Sequence, residues 1–525
     1  QHMSYDNFYT PQNQQFYATQ PYAALKARHI RLLRINLLHS GEDNYAPVRC
    51  ELLHNVSLDA MRGKYTTISY CAGDPKQTET LFLDGRPFNA FATLGHAVRQ
   101  ARHFWKKRHE HQELLLWADQ ICINQSNLLE RAEQVNLMGD IYGAGAQVLI
   151  SLSKEGGEPG GLNWFKHLSN DLIRRHEGVT NNVPLFDTIE SEHHQAIPAR
   201  GWEIFQTNFL AAPWWTRAWV QQELFRAPHA VFLLVYESIE AAHVLNIISR
   251  LYTRGGGDTT PPPHDACCAC LFYRILPDPL IYEPRLLVMN ILLDRKSDLS
   301  DTDTIEQYPD LLENLYWLRS GRCTASDPRD LIYSCLGYSG RAYGVKPDYA
   351  PDISLIDVAA QLARNVIEQT GNVHMLTLAC RRKRSGLQSD HPSWVADWSL
   401  EIDRDDGNYL PGEPILNRTP FAFEANEIGQ ANRILRVHGI LHETLHADST
   451  LPNIPGYQHL EPGDEVWHLC TATQPYVFRR KGKYRELVGA GIDHDPPDGP
   501  DPAWIQHVRQ LFENNDARVE CIDIC

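Results

Sequence analysis

The stretch Leu114–Ala146, LLLWADQICINQSNLLERAEQVNLMGDIYGAGA, decides the fold. It opens on an apolar run, turns polar at Asp119 and again at Asn124-Gln125-Ser126-Asn127, then resumes with helical spacing. A short apolar run bounded by turn residues reads as a buried strand, taken here as Leu114–Ile121. Asn127 and Glu130 stand in the N-x-x-E relation of a helix start, so the Asn127 side chain is expected to accept from a first-turn amide. Beyond it Leu128, Val135, Met138 and Tyr142 fall near one face, and the Gly143–Gly145 region ends the helix. Strand, polar turn and capped helix together make one unit of an α/β sheet.

Working outward, Tyr65–Tyr70 (YTTISY), Gln147–Leu152 and Ala230–Val235 are further short apolar runs, and Phe91–Lys106 and Trp202–Phe209 have helical spacing. Strands alternating with helices imply a parallel sheet covered on both faces. Upstream, His29–Leu37 (HIRLLRINL) starts with the alternation of an edge strand. Residues 1–21, rich in Gln, Asn and Tyr, read as a flexible leader; Gln1 and His2 read as a remnant before Met3 as natural start. The α/β domain with its lead-in is placed at 22–237 and a helical region at 238–392, with a Gly- and Pro-rich loop at Arg254–Pro263. A β-rich region follows at 393–525, in which residues 494–502 form a linker before a helix at Ala503–Asn514.

The 525-residue chain has 43% hydrophobic and 22% charged residues, ordinary for a globular protein. Its 12 Trp, 22 Tyr and 17 Phe exclude disorder throughout. Against 65 Asp and Glu stand 49 Lys and Arg, a net charge of −16 that argues against chain-wide nucleic-acid binding. No apolar window is long enough for a membrane span, and the first twenty residues lack the pattern of a secretion signal. The 12 scattered Cys read as reduced and buried. The expectation is a cytoplasmic protein, with a nuclear location left open, and with neither membrane nor nucleic acid as partner.

Open α/β sheets bind ligands beyond the carboxyl ends of their strands. Asp119, Asn124, Gln125 and Glu130 are placed to face one such crevice, with Ser69, Cys71 and Asp74 at the end of the first strand beside it. Glu223 in PWWTRAWVQQELF is a second acidic candidate, and Trp215 and Trp219 offer aromatic surface next to it. The same residue types also brace turns and helix amides or pack in cores, so both roles stand open. Other signals are weaker. His264–Cys270 holds one His and three Cys, two of them adjacent, which is poor zinc spacing. His442-Glu-Thr-Leu-His446 matches the letters of a zinc protease but lies in a strand-and-turn context. Cys122 has no His partner in view and reads as a small buried hydrophobe. The basic clusters at Lys106–Arg108, Arg381–Arg384 and Arg479–Lys481 read as solvated loops. No metal is called for, and with no Gly-rich fingerprint or P-loop, no cofactor either.

Tyr65–Asp74, Trp117–Gln125, Glu130–Ala146 and Pro213–Leu224 together resemble the fungal heterokaryon-incompatibility (HET) domain. Ile30–Leu33, Asp327–Gly337, Pro392–Trp398 and Gly463–Val466 resemble features of long members of that family, so the likeness spans roughly Tyr22 to Asp493. The chain departs from the pattern at Ala72, where the family has Trp, and at Ala118, where it has a larger apolar residue. The resemblance implies a flavodoxin- or TIR-like parallel core and a role in non-self recognition and programmed cell death. By the same analogy, Glu130 or Glu223, with Asp119, is the catalytic group of a site cleaving NAD or a related nucleotide, and Ser69, Cys71, Asp74, Asn124, Gln125, Trp215 and Trp219 bind the ligand. The alternative is a repurposed enzyme of secondary-metabolite biosynthesis with a bulky organic substrate in an aromatic pocket. A third reading is an assembly module without turnover. The partner expected is a small molecule, nucleotide or metabolite, and a homo-oligomer stays open.

Overall fold

A computed structural model of the chain describes residues 13, 16–17, 22–37, 43–109, 112–152, 157–175, 201–241, 243–244, 309–320, 322–371, 373, 375–381, 391–400, 422–424, 434–446, 460–470, 472, 475–490, 502–514 and 516–525. The Arg254–Pro263 loop, the His264–Cys270 cluster, residues 382–384 of one basic cluster and nearly all of the 494–502 linker lie outside them. The chain divides into two compact units, one of residues 1–341 and 346–349, the other of residues 342–345 and 350–525.

The first unit is built on a nine-stranded sheet. Its strands are β1 (His29–Ile35), β2 (Arg49–Ser57), β3 (Thr66–Tyr70), β4 (Thr78–Leu83), β5 (Arg86–Phe91), β6 (Leu114–Trp117), β7 (Gln147–Ser151), β8 (Ala230–Leu234) and β9 (Glu237–Glu240). They lie in the order β5-β4-β2-β1-β6-β3-β7-β8-β9. At the centre β6, β3, β7 and β8 are mutually parallel, and β3 and β8 are buried along their whole length. That burial explains why their β-branched and apolar runs hardly alternate. Numbered among themselves these strands run 2-1-3-4, and the order reverses between β3 and β7. The carboxyl ends of those two strands are where such a sheet leaves a crevice.

The sheet as a whole is mixed, not parallel. β1 pairs antiparallel with both β2 and β6, so it lies inside the sheet and not at its edge. Its polar Arg31 does not face solvent but is fully buried and paired, and the alternation that suggested an edge strand marks an internal ion pair. In the segment read as a leader, Asn13 and Phe16 are packed: Phe16 lies edge-on to Phe88, and the Asn13 amide bonds the backbone of Asn89.

Helix α1 (Ala92–Arg108) packs against β3, β7 and β8, with Lys106, Lys107 and Arg108 in its last turn, where cations suit the dipole. Helix α2 (Leu128–Ala144) lies on the other face; its Tyr142 hydroxyl donates to the Ile68 carbonyl at 3.2 Å. Asn127 caps it, accepting from the Glu130 amide at 3.2 Å. Leu128, expected on the buried face, is exposed, because that face carries Arg131, Gln134, Val135, Met138, Ile141 and Tyr142. The strand read as Leu114–Ile121 ends at Trp117, and Asp119–Cys122 forms a single helical turn. Helices α3 (Gly161–Arg175), α4 (Val220–Arg226), α5 (Leu311–Ser320) and α6 (Asp330–Leu336) complete the elements used here.

The second unit holds helices α7 (Leu355–Thr370), α8 (Met375–Arg381) and α9 (Pro502–Glu513) and a six-stranded sheet. Ser354 and Asp357 cap α7 reciprocally, and Gly371 closes it in the left-handed conformation. The strands are β10 (Ala422–Glu424), β11 (Ile434–Thr444), β12 (Glu465–Leu469), β13 (Tyr476–Lys481), β14 (Tyr484–Ala490) and β15 (Val519–Ile524). β11 pairs with β12 and β15, and β15 also pairs with β14, so five strands close on themselves. The β-rich reading of this region holds. His442 lies on β11, so the H-E-x-x-H letters do not fall on a helix, as expected. The basic run Arg479–Lys481 is matched by Asp464, Glu461, Glu465 and Glu486.

Within the first unit α2 and the end of α6 meet at two glycines. A methyl group on Gly139 would lie 2.5 Å from the Gly337 carbonyl oxygen and 2.8 Å from its Cα. In an open helix Gly→Ala gains up to about 1 kcal/mol. Here the clash is with backbone, so Gly139→Ala is expected to destabilise by about 1–3 kcal/mol in urea unfolding. A gain in stability would show that the helices do not approach this closely.

Candidate functional site

The strand ends carry a buried polar centre. The alternation of β3 turns Ser69 towards the α2 face, in register with Ile150 on β7 and thence Phe232 on β8. The Ser69 hydroxyl donates to Glu223 Oε2 and accepts from the Trp214 indole nitrogen at 2.6 Å. Ser69, Glu223, Trp214 and Tyr142 are all buried, Glu223 being 4% exposed. Burial pushes the Glu223 carboxyl up to about 7, against the Arg217 charge and the Ser69 hydrogen bond, which pull it down.

Around this floor stand three partly exposed residues: Cys71, Asp119 and Arg217. Arg217 donates to the Tyr70 carbonyl; burial opposes its charge, and the nearby Glu223 and Asp119 favour it. Asp119 Oδ1 accepts from the Tyr70 hydroxyl at 3.1 Å and from the Gln120 amide at 2.7 Å. The Arg217 backbone is clamped by a neighbouring segment, since Thr324 donates to the Thr216 carbonyl at 2.7 Å and accepts from the Ala218 amide at 2.9 Å.

The remaining predicted residues separate from this group. Glu130 forms a buried ion pair with Arg31 of β1, at 2.5 and 3.0 Å, and accepts from the Asn124 amide at 2.8 Å. The same guanidinium donates to the carbonyls of Cys122 and Ala23 and lies over the Tyr22 ring. Gln125 donates to the Asp119 carbonyl at 3.0 Å, and Asn124 accepts from Ser126. These contacts brace the motif loop. Asp74 is exposed and holds its own turn through the Lys76 amide. Trp215 is fully buried, its indole donating to the Phe209 carbonyl, and Trp219 donates to Asp330 at 3.2 Å. Burial pushes the Cys122 thiol up to about 12, which agrees with its reading as a small hydrophobe.

Sequence reasoning missed Trp214, Tyr142, Tyr70 and Arg217 as members of the centre. Strand parity at Ser69 was the available signal for which face to search, and Arg217 stood unmarked in the segment that yielded Glu223. Two surface hollows lie elsewhere, one by Phe104, Arg108, Gln147 and His229 and one by Arg49, Glu51, Phe82 and Asp84. Among the described residues no three His, Cys, Asp or Glu are grouped to hold a metal, and no helix is long and apolar enough to cross a membrane.

The strand-end centre and strands β3 to β7 lie in the region that comparison identifies. The family model for Heterokaryon incompatibility protein (HET) matches residues 65–223, so the chain carries a HET domain there. The chain is also similar to Heterokaryon incompatibility protein 6, OR allele, of Neurospora crassa, with 24% identity over 384 residues. That match covers 64% of this chain and 54% of the relative, so the chain spans about half the length of the curated relative it matches. No solved structure matches it.

Two outcomes follow from the geometry. Removing one partner of a buried ion pair leaves the other uncompensated, so Glu130→Ala is expected to cost about 3–5 kcal/mol in chemical unfolding. Glu223 behaves differently, because its folded value lies above its usual 4.5. Its contribution is fully present below the unfolded value and is lost as pH rises through about 7. Asp330, raised by burial to about 6, acts with the same sign. Glu223→Gln removes only its own share, so its stability relative to wild type should rise between pH 4.5 and 8, by roughly 3 kcal/mol at most. Unfolding curves across that range check it, and a pH-independent difference would contradict the assignment.

Proposed function

We propose that the chain is a HET-type incompatibility protein of the programmed-cell-death kind, whose strand-end centre cleaves NAD or a related nucleotide. The observation that carries this reading is the buried Glu223 carboxyl, held by Ser69 beside the switch point of the four parallel central strands. The 2-1-3-4 strand order is that of flavodoxin-like sheets and supports the TIR-like analogy. The name of the Neurospora relative supports the incompatibility role.

In this reading the bond between the ribose C1′ and the nicotinamide nitrogen breaks, and nicotinamide leaves as a neutral base with the bonding electron pair. The positive charge left on the ribosyl centre is stabilised by ionised Glu223, as carboxylates do in glycoside hydrolysis. Water adds to C1′ and passes its proton to Glu223, a base whose value near 7 suits that transfer. Ser69 and Trp214 fix the geometry, and Asp119 belongs to the rim. Glu130 is assigned to bracing, because both its oxygens are engaged by Arg31. Soluble action on a small molecule inside the cell is part of the same proposal.

The test is release of nicotinamide from NAD by the purified chain. Wild type is expected to turn over, and Glu223→Gln to lose at least about a hundredfold without a fall in melting temperature. Turnover that survives Glu223→Gln, or a wild type inert towards NAD and related nucleotides, would reject the reading.

A further inference from the structure

We propose that Arg217 is the anion-binding residue of the strand-end site, its guanidinium taking an oxyanion, phosphate or carboxylate, carried by the ligand. The inference rests on the strand ends being the ligand site and does not depend on the ligand being cleaved there.

Three observations carry it. First, the guanidinium is only partly used: its one side-chain hydrogen bond goes to the Tyr70 carbonyl, and among the described residues it makes no ion pair. Five other largely buried arginines of the same unit do. Arg31, Arg99, Arg131, Arg226 and Arg329 each have a carboxylate oxygen within 3.9 Å. A partly buried cation held without a carboxylate partner is costly unless something else completes it. Second, it is fixed in place. The paired bonds of Thr324 to residues 216 and 218 hold its backbone, and the Tyr70 carbonyl holds one corner of the fork. A pre-set planar fork is what bidentate recognition of phosphate or carboxylate requires. Third, it stands at the carboxyl end of β3, partly exposed, beside Glu223 and Asp119. Among the described residues neither acid lies within ion-pair distance of it, so the guanidinium N–H groups not used by Tyr70 are left for a ligand anion.

The experiment is calorimetric titration of the full chain with inorganic pyrophosphate, citrate and ADP-ribose at low and high salt. Wild type is expected to bind at least one of them with an affinity that falls with salt, and preference for pyrophosphate or for citrate tells phosphate from carboxylate. Arg217→Gln should raise the dissociation constant at least about tenfold at unchanged melting temperature. Asp119→Asn removes a competing charge and should tighten binding. No binding by wild type, or equal binding by Arg217→Gln, overturns the proposal. If Arg217→Gln does not fold, unchanged or weaker binding by Asp119→Asn overturns it instead. NAD turnover with pyrophosphate, citrate and ADP-ribose binding all indifferent to Arg217 would leave the hydrolase standing and this inference refuted. Arg217-dependent binding without turnover would do the reverse.

Discussion

A carboxylate taken out of water costs several kcal/mol unless its surroundings replace the lost solvation, and Glu223 is such a group. The centre of the first unit is arranged around that constraint. Ser69 supplies a hydroxyl to it, which fixes the parity of β3 and sends Tyr70 to the opposite face, where its hydroxyl finds Asp119. The same parity lines up Ser69, Ile150 and Phe232 across three strands, and Phe232 meets the ring of Trp214, whose indole bonds back to Ser69. Arg217 offsets part of the charge from the rim. Burial still dominates, and the balance leaves a carboxyl that changes charge near neutrality.

The second buried charge solves a different problem. The motif loop between β6 and α2 must hold a fixed shape, and Glu130 does this by accepting from Asn124 while pairing with Arg31. Arg31 in turn gathers the carbonyls of Cys122 and Ala23, so strand β1, the loop and the segment before β1 are joined at one guanidinium. A pair so well bonded favours a unique arrangement of these three pieces, whatever its net energy.

Much of the scaffold was legible in the sequence. The runs at Tyr65, Gln147 and Ala230 are β-branched or apolar for most of their length and buried on both faces, as parallel central strands are, and Asn127 announced its helix by capping chemistry. What depended on distant partners was not. Arg31 and Glu130 are 99 residues apart, and nothing local tells a buried Arg in a strand from a solvent-facing one. The tryptophans show the same limit at short range. Trp214, Trp215 and Trp219 are close in sequence, yet a tight turn at Pro213–Thr216 sends their indoles to Ser69, to Phe209 and to Asp330. Aromatic density marked the right segment, but the backbone of one turn chose which ring joins the site.

Helix α4 explains why the domain cannot be understood from residues 65–223 alone. Glu223 points from it to β3, but its other buried side chains bond elements further along the chain. Gln221 reaches Cys323 and Tyr338, and Gln222 accepts from the Gly337 amide at 3.1 Å. Trp219, just before the helix, bonds Asp330, which Tyr349 also bonds at 2.6 Å. Arg131 of α2 lies over the Tyr349 ring, so the far end of this network returns to the motif helix. Without residues 309–349 the polar groups of α4 would be buried without partners or released to water, and either outcome would free the helix that carries Glu223. The position of the acid is therefore set from two sides, by β3 through Ser69 and by the Cys323–Tyr338 segment through Trp219, Gln221 and Gln222. The Cys323–Tyr338 segment thus holds the back of the helix whose front carries Glu223.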